Sequence, residues 1–476
     1  MSPESMDRST IAAIATPEGF GGIGIIKVSG PDAFSVAGSV FMHGSYDPDN
    51  RQTSESAGKN LSFSPWRLYY GHIVDPDSGR MIDEVVLAVM PAPRSYTRED
   101  VVEIQAHAGP KVLHSILDLL ITRGVRPARP GEFTRRAFTN GRIDLTQAEA
   151  VADLIKATSD AAVDMAVSQI SGGLTSMLAS IRETIISVLT TVEAAVDFPD
   201  SVDDEINTDI LVHALYADVE KPVQELLSAY EAGRFLRDGL NVVIAGGPNV
   251  GKSSLMNRLV NKERSIVTDI PGTTRDCIEA TFTARGLPVV LVDTAGLRSD
   301  PGFVEGLGIE KARQYIESAD FILYVVDVSA PVTSEDLQFC EELPRGRGII
   351  VVNKCDLPKH QRRFERPAQW QGLPFAQISA LYGEGVPELI DLLADSLSQA
   401  AAAAQPEFVP NWRQKVQLDR LSCAVSDAAL GLKQGDSLEL VSIDLRDALL
   451  AVDEITGRYV SDDILDRIFS SYCIGK

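Results

Sequence analysis

Gly246-Gly247-Pro248-Asn249-Val250-Gly251-Lys252-Ser253 has the spacing of a phosphate-binding loop. Glycines let the backbone wrap a phosphate closely, and the helix that follows points its first N–H groups at the anion. Lys252 is placed to reach the β- and γ-phosphates, and the Ser253 hydroxyl to bind Mg²⁺. Asn353-Lys354-Cys355-Asp356 then selects the base. The Asp356 carboxylate can accept from N1–H and the 2-amino group of guanine; adenine offers neither donor, so the carboxylate would lie unpaired against it. Ser379-Ala380 supplies backbone contacts to the base. In Asp293-Thr294-Ala295-Gly296, Asp293 holds Mg²⁺ through water and the Gly296 N–H meets the γ-phosphate. Gly272-Thr273-Thr274 lies between, with Thr274 the second hydroxyl on Mg²⁺. Each element alone is a weak signal; all of them in this order describe a GTP site.

Leu297 follows Asp-Thr-Ala-Gly, where many small GTPases place a glutamine that orients water. Leu297 cannot bond water, and Arg275 and Arg298 are only candidates for an arginine finger. Asn249 either shapes the loop or offers its side-chain oxygen to a monovalent cation that stabilises developing charge.

These loops need strands and helices to hold them. The chain has 476 residues, enough for two to four domains, and 44% are apolar. It carries 44 Lys+Arg against 67 Asp+Glu, a formal net charge of −23, which excludes a uniformly basic nucleic-acid coat. Cys277, Cys340, Cys355, Cys423 and Cys473 lie far apart, with neither disulfide-framework nor zinc spacing. No apolar signal region opens the chain and no run reaches membrane-spanning length. A soluble, reducing compartment, the cytoplasm, is therefore expected, with no membrane contact.

The GTPase unit occupies 233–398, where apolar runs (Val242 to Ala245, Val289 to Val292, Gly348 to Val352, Phe375 to Ile378) alternate with helical segments. That implies a mostly parallel sheet with helices on both faces. Residues 1–139 form an α+β domain. Its strands run near Ile11 to Ala15, Gly24 to Val28, Leu68 to Ile73, Glu84 to Met90 and Val101 to Gln105, with a helix over Lys111 to Thr122. Residues 140–232 turn helical: Leu174, Leu178, Ile181, Ile185, Val188, Val192 and Ala195 share one face, and Ser171-Gly172-Gly173 breaks the helix before them. Residues 399–476 are helical again. The GTPase is read as inserted into one helical domain.

Ala15-Thr16-Pro17 with Gly21-Gly22-Ile23-Gly24-Ile25, Tyr96-Thr97-Arg98-Glu99-Asp100-Val101-Val102-Glu103, Arg129-Pro130-Gly131-Glu132-Phe133-Thr134, Arg136-Ala137-Phe138, Asp144-Leu145-Thr146-Gln147-Ala148-Glu149-Ala150 and the terminal Cys473-Ile474-Gly475-Lys476 carry a resemblance across essentially the whole chain. The chain resembles the bacterial and organellar tRNA-modifying GTPases of the MnmE/TrmE family. The resemblance implies a multidomain fold: an N-terminal α/β folate-binding and dimerising domain, an all-α helical domain, and an inserted Ras-like α/β P-loop GTPase domain. It implies a homodimer that acts with a flavoprotein, MnmG or GidA, on carbon 5 of the tRNA wobble uridine. The group added is carboxymethylaminomethyl or aminomethyl, and its one-carbon unit comes from 5-formyl- or methylene-tetrahydrofolate. FAD belongs to the partner.

For the GTP site the resemblance implies Asn249, Val250, Gly251, Lys252, Ser253 and Ser254; Thr268, Asp269, Ile270, Pro271, Gly272, Thr273 and Thr274; Asp293, Thr294, Ala295 and Gly296; and Asn353, Lys354, Asp356, Ser379 and Ala380. It further implies that paired GTPase domains hydrolyse GTP with K⁺ replacing an arginine finger. The K⁺ ligands are Asn249, Thr268, Ile270 and Thr273, and Glu305 orients water through an intermediary. Lys27, Glu103, Arg142 and Lys476 become the folate residues and Cys473 a catalytic thiol. Without the resemblance, Glu103 reads as an outward strand carboxylate and Cys473 as an inert thiol. Lys27 stands where relatives often have Arg, Arg142 where they often have Lys, and Arg98 where Gly is usual.

Arg123, Arg126, Arg129, Arg135, Arg136 and Arg142 crowd a short stretch that either faces RNA or forms internal salt bridges. Two function classes follow: a GTP-driven tRNA-modifying enzyme, or a switch-type GTPase of ribosome assembly. Only the first gives a reason for the N-terminal domain and the Cys-Ile-Gly-Lys end.

Overall fold

The computed structural model describes residues 9–17, 19–44, 63–157, 159–197, 207–238, 240–262, 279–285, 287–293, 319–342, 347–401 and 408–475. They fall into two compact units, Met1–Ala152 with Val452–Lys476, and Asp153–Ala451.

The first unit is built on seven strands: β1 (Ile11–Ile14), β2 (Gly21–Ser29), β3 (Phe41–His43), β4 (Leu68–Val74), β5 (Met81–Met90), β6 (Val101–Ala108) and β7 (Arg126–Pro127). Their spatial order is β3-β4-β5-β6-β2-β1-β7. Every pairing is antiparallel except β1 with β7. Alternation decides which face is buried. Ile26 and Val28 of β2, Val85, Leu87 and Val89 of β5, and Val102 and Ile104 of β6 form the core with Ala33 and Ala37 of α1 (Ala33–Val40) and Leu113, Ile116 and Leu120 of α2 (Pro110–Thr122). The intervening residues Lys27 and Glu103 take the other face. A third helix, α3 (Glu132–Thr139), begins at Gly131, whose φ of 66° is left-handed. The sequence reading found the long strands and α2; the short α1, β3, β7 and α3 carry too few periods to show.

In the second unit, α4 (Leu145–Lys156) crosses the unit boundary, and α5 (Asp160–Ile170) stops at Ser171-Gly172 as read from sequence. Helix α6 (Gly173–Asp197) buries Leu174, Leu178, Ile181, Ile185, Val188, Leu189 and Val192. Helix α7 (Thr208–Ala214) runs through a π-helical stretch, Leu215–Glu220, into α8 (Lys221–Asp238). A six-stranded sheet follows: β8 (Leu240–Gly246), β9 (Glu279–Ala284), β10 (Leu287–Asp293), β11 (Phe321–Asp327), β12 (Gly348–Asn353) and β13 (Phe375–Gln377), in the order β13-β12-β11-β8-β10-β9. It is parallel except for the β9–β10 edge. Strand β12 is buried along its whole length, as a central parallel strand covered on both faces must be. Helices α9 (Lys252–Lys262), α10 (Ser334–Glu342) and α11 (Val386–Ala401) accompany the sheet, and α12 (Trp412–Gln434) and α13 (Leu438–Thr456) follow.

Helix α14 (Asp462–Ser470) and the residues after it pack with the N-terminal unit. Phe469 and Tyr472 join Leu145 and Ala148 in a small core, and the Tyr472 hydroxyl donates to the Ala148 carbonyl at 2.8 Å. Among the described residues no helix is long and apolar enough to cross a membrane.

Candidate functional site

The carboxyl ends of β8, β11 and β12 carry the chemistry, where an α/β sheet leaves a crevice. Strand β8 ends at Gly246, with φ 141°; a Cβ there would lie 2.2 Å from the Val325 carbonyl oxygen. Only glycine lets the chain leave the sheet so close to β11. Asn249 adopts φ 61° and Gly251 φ 100°, and α9 begins at Lys252. The loop therefore curls around a space faced by the first turn of a helix. Lys252 is buried, and its Nζ donates to the carbonyls of Gly246 at 3.0 Å and Gly247 at 2.7 Å. Ser253 and Ser254 are exposed in that first turn.

The base-reading loop is tied directly to the phosphate loop. Asn353 Nδ2 donates to the Val250 carbonyl at 2.8 Å, and Asn353 Oδ1 accepts from the Ala380 N–H at 2.9 Å. A Cβ on Gly251 would meet Asn353 Nδ2 at 2.2 Å, so this glycine makes room for the tie. Lys354, itself at φ 65°, donates to the Asn249 carbonyl at 2.9 Å and pairs with Asp327 at 2.6 Å. Ser379 Oγ donates to Asp356 Oδ1 at 2.7 Å and accepts from the Tyr382 N–H at 3.2 Å, holding the carboxylate in an exposed position. The sequence reading missed Asp327 and Arg258. Arg258 donates from α9 to the carbonyls of Ala380 (3.0 Å) and Leu381. Burial would push the Asp327 carboxyl up; the Lys354 ammonium and two bonds from Ser329 outweigh it and hold the carboxyl below its usual range. The only advance signal for Asp327 was an acid ending an apolar strand.

Asp293 ends β10 opposite Ile244. Thr268, Asp269, Ile270, Pro271, Gly272, Thr273, Thr274, Thr294, Ala295, Gly296, Glu305 and Lys476 lie outside the described residues, as do Arg275, Leu297 and Arg298.

A second cluster lies in the N-terminal unit. Lys27 of β2 and Glu103 of β6 are register partners, Nζ to Oε1 4.0 Å. The Lys27 ammonium lies 5.6 Å from the centre of the Tyr96 ring and 5.4 Å from that of Phe133. The Arg142 guanidinium lies 4.7 Å from the same Tyr96 ring. Tyr96 is thus the shared platform for two predicted site cations. Its hydroxyl meets Thr134 Oγ1 at 3.0 Å, and burial pushes its pKa up. Three residues singled out far apart in sequence stand together here. In the sequence Tyr96 stands out only as part of a motif.

The tail returns to the same unit. The Gly131 N–H donates to the Cys473 carbonyl at 3.4 Å, and Cys473 is exposed. Gly475, at φ 93°, lies so close to β1 that a Cβ would sit 2.6 Å from the Ile14 oxygen. The arginines nearby are engaged inside the unit: Arg123 with Asp77, Arg126 with Glu132, Arg135 with Asp462 and Asp466, Arg136 with Glu99 and Glu132. That geometry favours the salt-bridge alternative over an RNA-facing row.

The family model described as the MnmE helical domain matches residues 145–473, and that described as the GTP-binding protein TrmE N-terminus matches residues 10–142. The chain is 42% identical over 473 residues to the tRNA modification GTPase MnmE of Carboxydothermus hydrogenoformans, covering 99% of this chain and 100% of that one. It is 44% identical over 472 residues to the protein of the same description from Geobacter sulfurreducens, covering 98% and 99%. Among solved structures it is similar to the G domain of the T. maritima FeoB iron transporter, at 27% identity over 33% of this chain and 98% of that one, with a TM-score of 0.27.

Proposed function

Because the chain belongs to the MnmE family of tRNA modification GTPases, we propose that its GTP hydrolysis serves a folate-dependent change at carbon 5 of the tRNA wobble uridine, made together with a flavoprotein of the MnmG type. The observation that carries the folate part is the cluster of Lys27, Glu103 and Arg142 around Tyr96. A carboxylate beside one cation, with a second cation on the same tyrosine ring, suits a reduced folate: the pterin offers amino and N–H donors, and the glutamate tail offers carboxylates. Bound there, a tetrahydrofolate supplies the one-carbon unit. The chain's part is to orient the pterin on Glu103 and to hold the acidic tail with Lys27, Arg142 and Lys476. Cys473 is the candidate thiol, because the docked tail belongs to this same unit.

At the GTP site, Asp356 selects guanine, Lys252 turns from the loop carbonyls to the phosphates, and Ser253 with Thr274 binds Mg²⁺. Lys354 holds the Asn249 backbone oxygen, and the Asn249 side-chain oxygen, as the family resemblance implies, would ligate K⁺. Thr268, Ile270 and Thr273 complete that site, and Glu305 orients the attacking water when two GTPase domains of a homodimer meet. The domain scheme (1–139, 140–232, 233–398 and 399–476) and a cytoplasmic location belong to the same reading.

The test is nucleoside analysis of tRNA from a deletion strain carrying the wild-type protein or Glu103→Gln. The modified wobble uridine should be restored by the first and not by the second. Full restoration by Glu103→Gln sinks the folate reading. Hydrolysis in KCl and NaCl at equal ionic strength tests the cation: equal rates remove K⁺ from the scheme.

A further inference from the structure

Asp327 is the last residue of β11, and its register partner on β12 is Asn353, the first residue of the base-reading loop. Its two carboxylate oxygens have separate tasks. Oδ1 accepts from the Ser329 N–H at 2.8 Å and the Ser329 hydroxyl at 2.7 Å; Oδ2 accepts from the Lys354 ammonium at 2.6 Å. The first pair fixes the carboxylate and the second aims the lysine. Lys354 then donates to the carbonyl of Asn249 at 2.9 Å. Both Lys354 and Asn249 sit in the left-handed region, at φ 65° and 61°, which is strained for lysine and tolerated by asparagine. A chain of contacts thus runs from a strand end, through the base-reading loop, to the phosphate loop. The Asp327 side chain is 13% exposed, so water competes weakly for the ammonium.

We propose that Asp327 is a positioning residue for the bound nucleotide: it never touches GTP, but it holds Lys354 on Asn249 and so sets how long the phosphate loop keeps its ligand. The inference rests on the GTP-binding reading of the site and needs neither the K⁺ nor the folate proposal. Removing the carboxylate frees the lysine and leaves the Asn249 carbonyl without the donor that holds it. The phosphate loop then opens more often, and nucleotide leaves faster.

The experiment is release of a fluorescent GDP analogue from the full-length protein, chased with excess GTP, for the wild type, Asp327→Ala, Lys354→Ala and the double variant. Asp327→Ala should speed release about tenfold, the size expected for losing one charge-assisted hydrogen bond. The double variant should release no faster than Lys354→Ala alone, because Asp327 acts through that lysine. Additive effects would mean that Asp327 merely supports the fold, and would overturn the proposal. So would release at the wild-type rate from Asp327→Ala. If Asp327→Ala does not fold, Asp327→Asn keeps the shape and loses one of the two sets of acceptor bonds. It should release severalfold faster, and an unchanged rate again overturns the idea. Failure of the wild type to bind the GDP analogue at all would instead refute the GTP-site reading.

Discussion

Lys27 and Glu103 are direct cross-strand partners on the face of the N-terminal sheet opposite α1 and α2, with 4.0 Å between their charged atoms. A pair this long and partly open to water adds at most about 1 kcal/mol to stability. Glu103→Gln should therefore leave the melting temperature nearly unchanged while weakening binding of 5-formyltetrahydrofolate at least tenfold, the scale for losing hydrogen bonds to a charged acceptor. Isothermal titration beside a thermal melt checks both halves. Unchanged folate affinity would remove Glu103 from the site.

Arg98 sits in the left-handed region, with φ 59°. Glycine adopts that conformation freely, whereas a residue with a Cβ pays about 1 kcal/mol or more. Arg98 recovers part of this by donating Nη1 to the Asn140 carbonyl at 3.0 Å. Arg98→Gly loses the bond and the strain together and should melt near the wild type. Arg98→Ala keeps the strain and loses the bond, so it should be the least stable of the three, by about 1 kcal/mol. An alanine variant as stable as the glycine one contradicts this account.

Legibility followed periodicity and spacing. The apolar alternation of β5 and β6 and the helical stripe of α6 were readable because each repeats over several residues. The phosphate and base-reading loops were readable because their residues are consecutive. Asp327 and Tyr96 were not, because what each does depends on a neighbour brought by folding: Lys354 for one, Lys27 and Arg142 for the other. Periodicity likewise did not show that α14 packs with the first unit, since an amphipathic helix shows that a face is buried but not against what; only the resemblance, through Lys476, brought the tail to that unit.

Glu132 gives a pH prediction. Its carboxylate accepts from Arg126 (3.1 Å to Nη1), the Arg129 N–H (2.7 Å) and Arg136 (3.3 Å). Burial would raise its pKa, but these donors prevail and hold it below the ordinary glutamate range. A carboxyl that titrates lower when folded contributes stability above its unfolded pKa and loses it as pH falls through the folded one. Glu132→Gln should thus be destabilised at pH 7, by about 2–3 kcal/mol if the arginines cannot repair. The gap to wild type should begin to close as pH falls through the ordinary glutamate range and go on closing below it, where the folded carboxyl takes up its proton. Denaturant melts across that range measure it; a gap that widens on acidification is the wrong sign.

Gly475 governs whether the tail can lie where it does. At φ 93° an alanine is strained, and its Cβ would stand 2.6 Å from the Ile14 oxygen and 2.7 Å from the Ala15 Cα, both backbone atoms that cannot swing aside. Gly475→Ala must lift the tail from β1, and with it Cys473, whose carbonyl is held by the Gly131 N–H. GTP hydrolysis does not use these residues and should keep its rate. Wobble-uridine modification should fall about tenfold or more if the docked tail brings Cys473 to the reaction, a loss of the size that follows displacing a positioned group. Cys473→Ser, which leaves the backbone docked, separates position from chemistry. Modification lost in both variants assigns the thiol a direct part, whereas loss only in Gly475→Ala assigns the part to the tail as a clamp. Full modification by Gly475→Ala shows that the docked tail is dispensable.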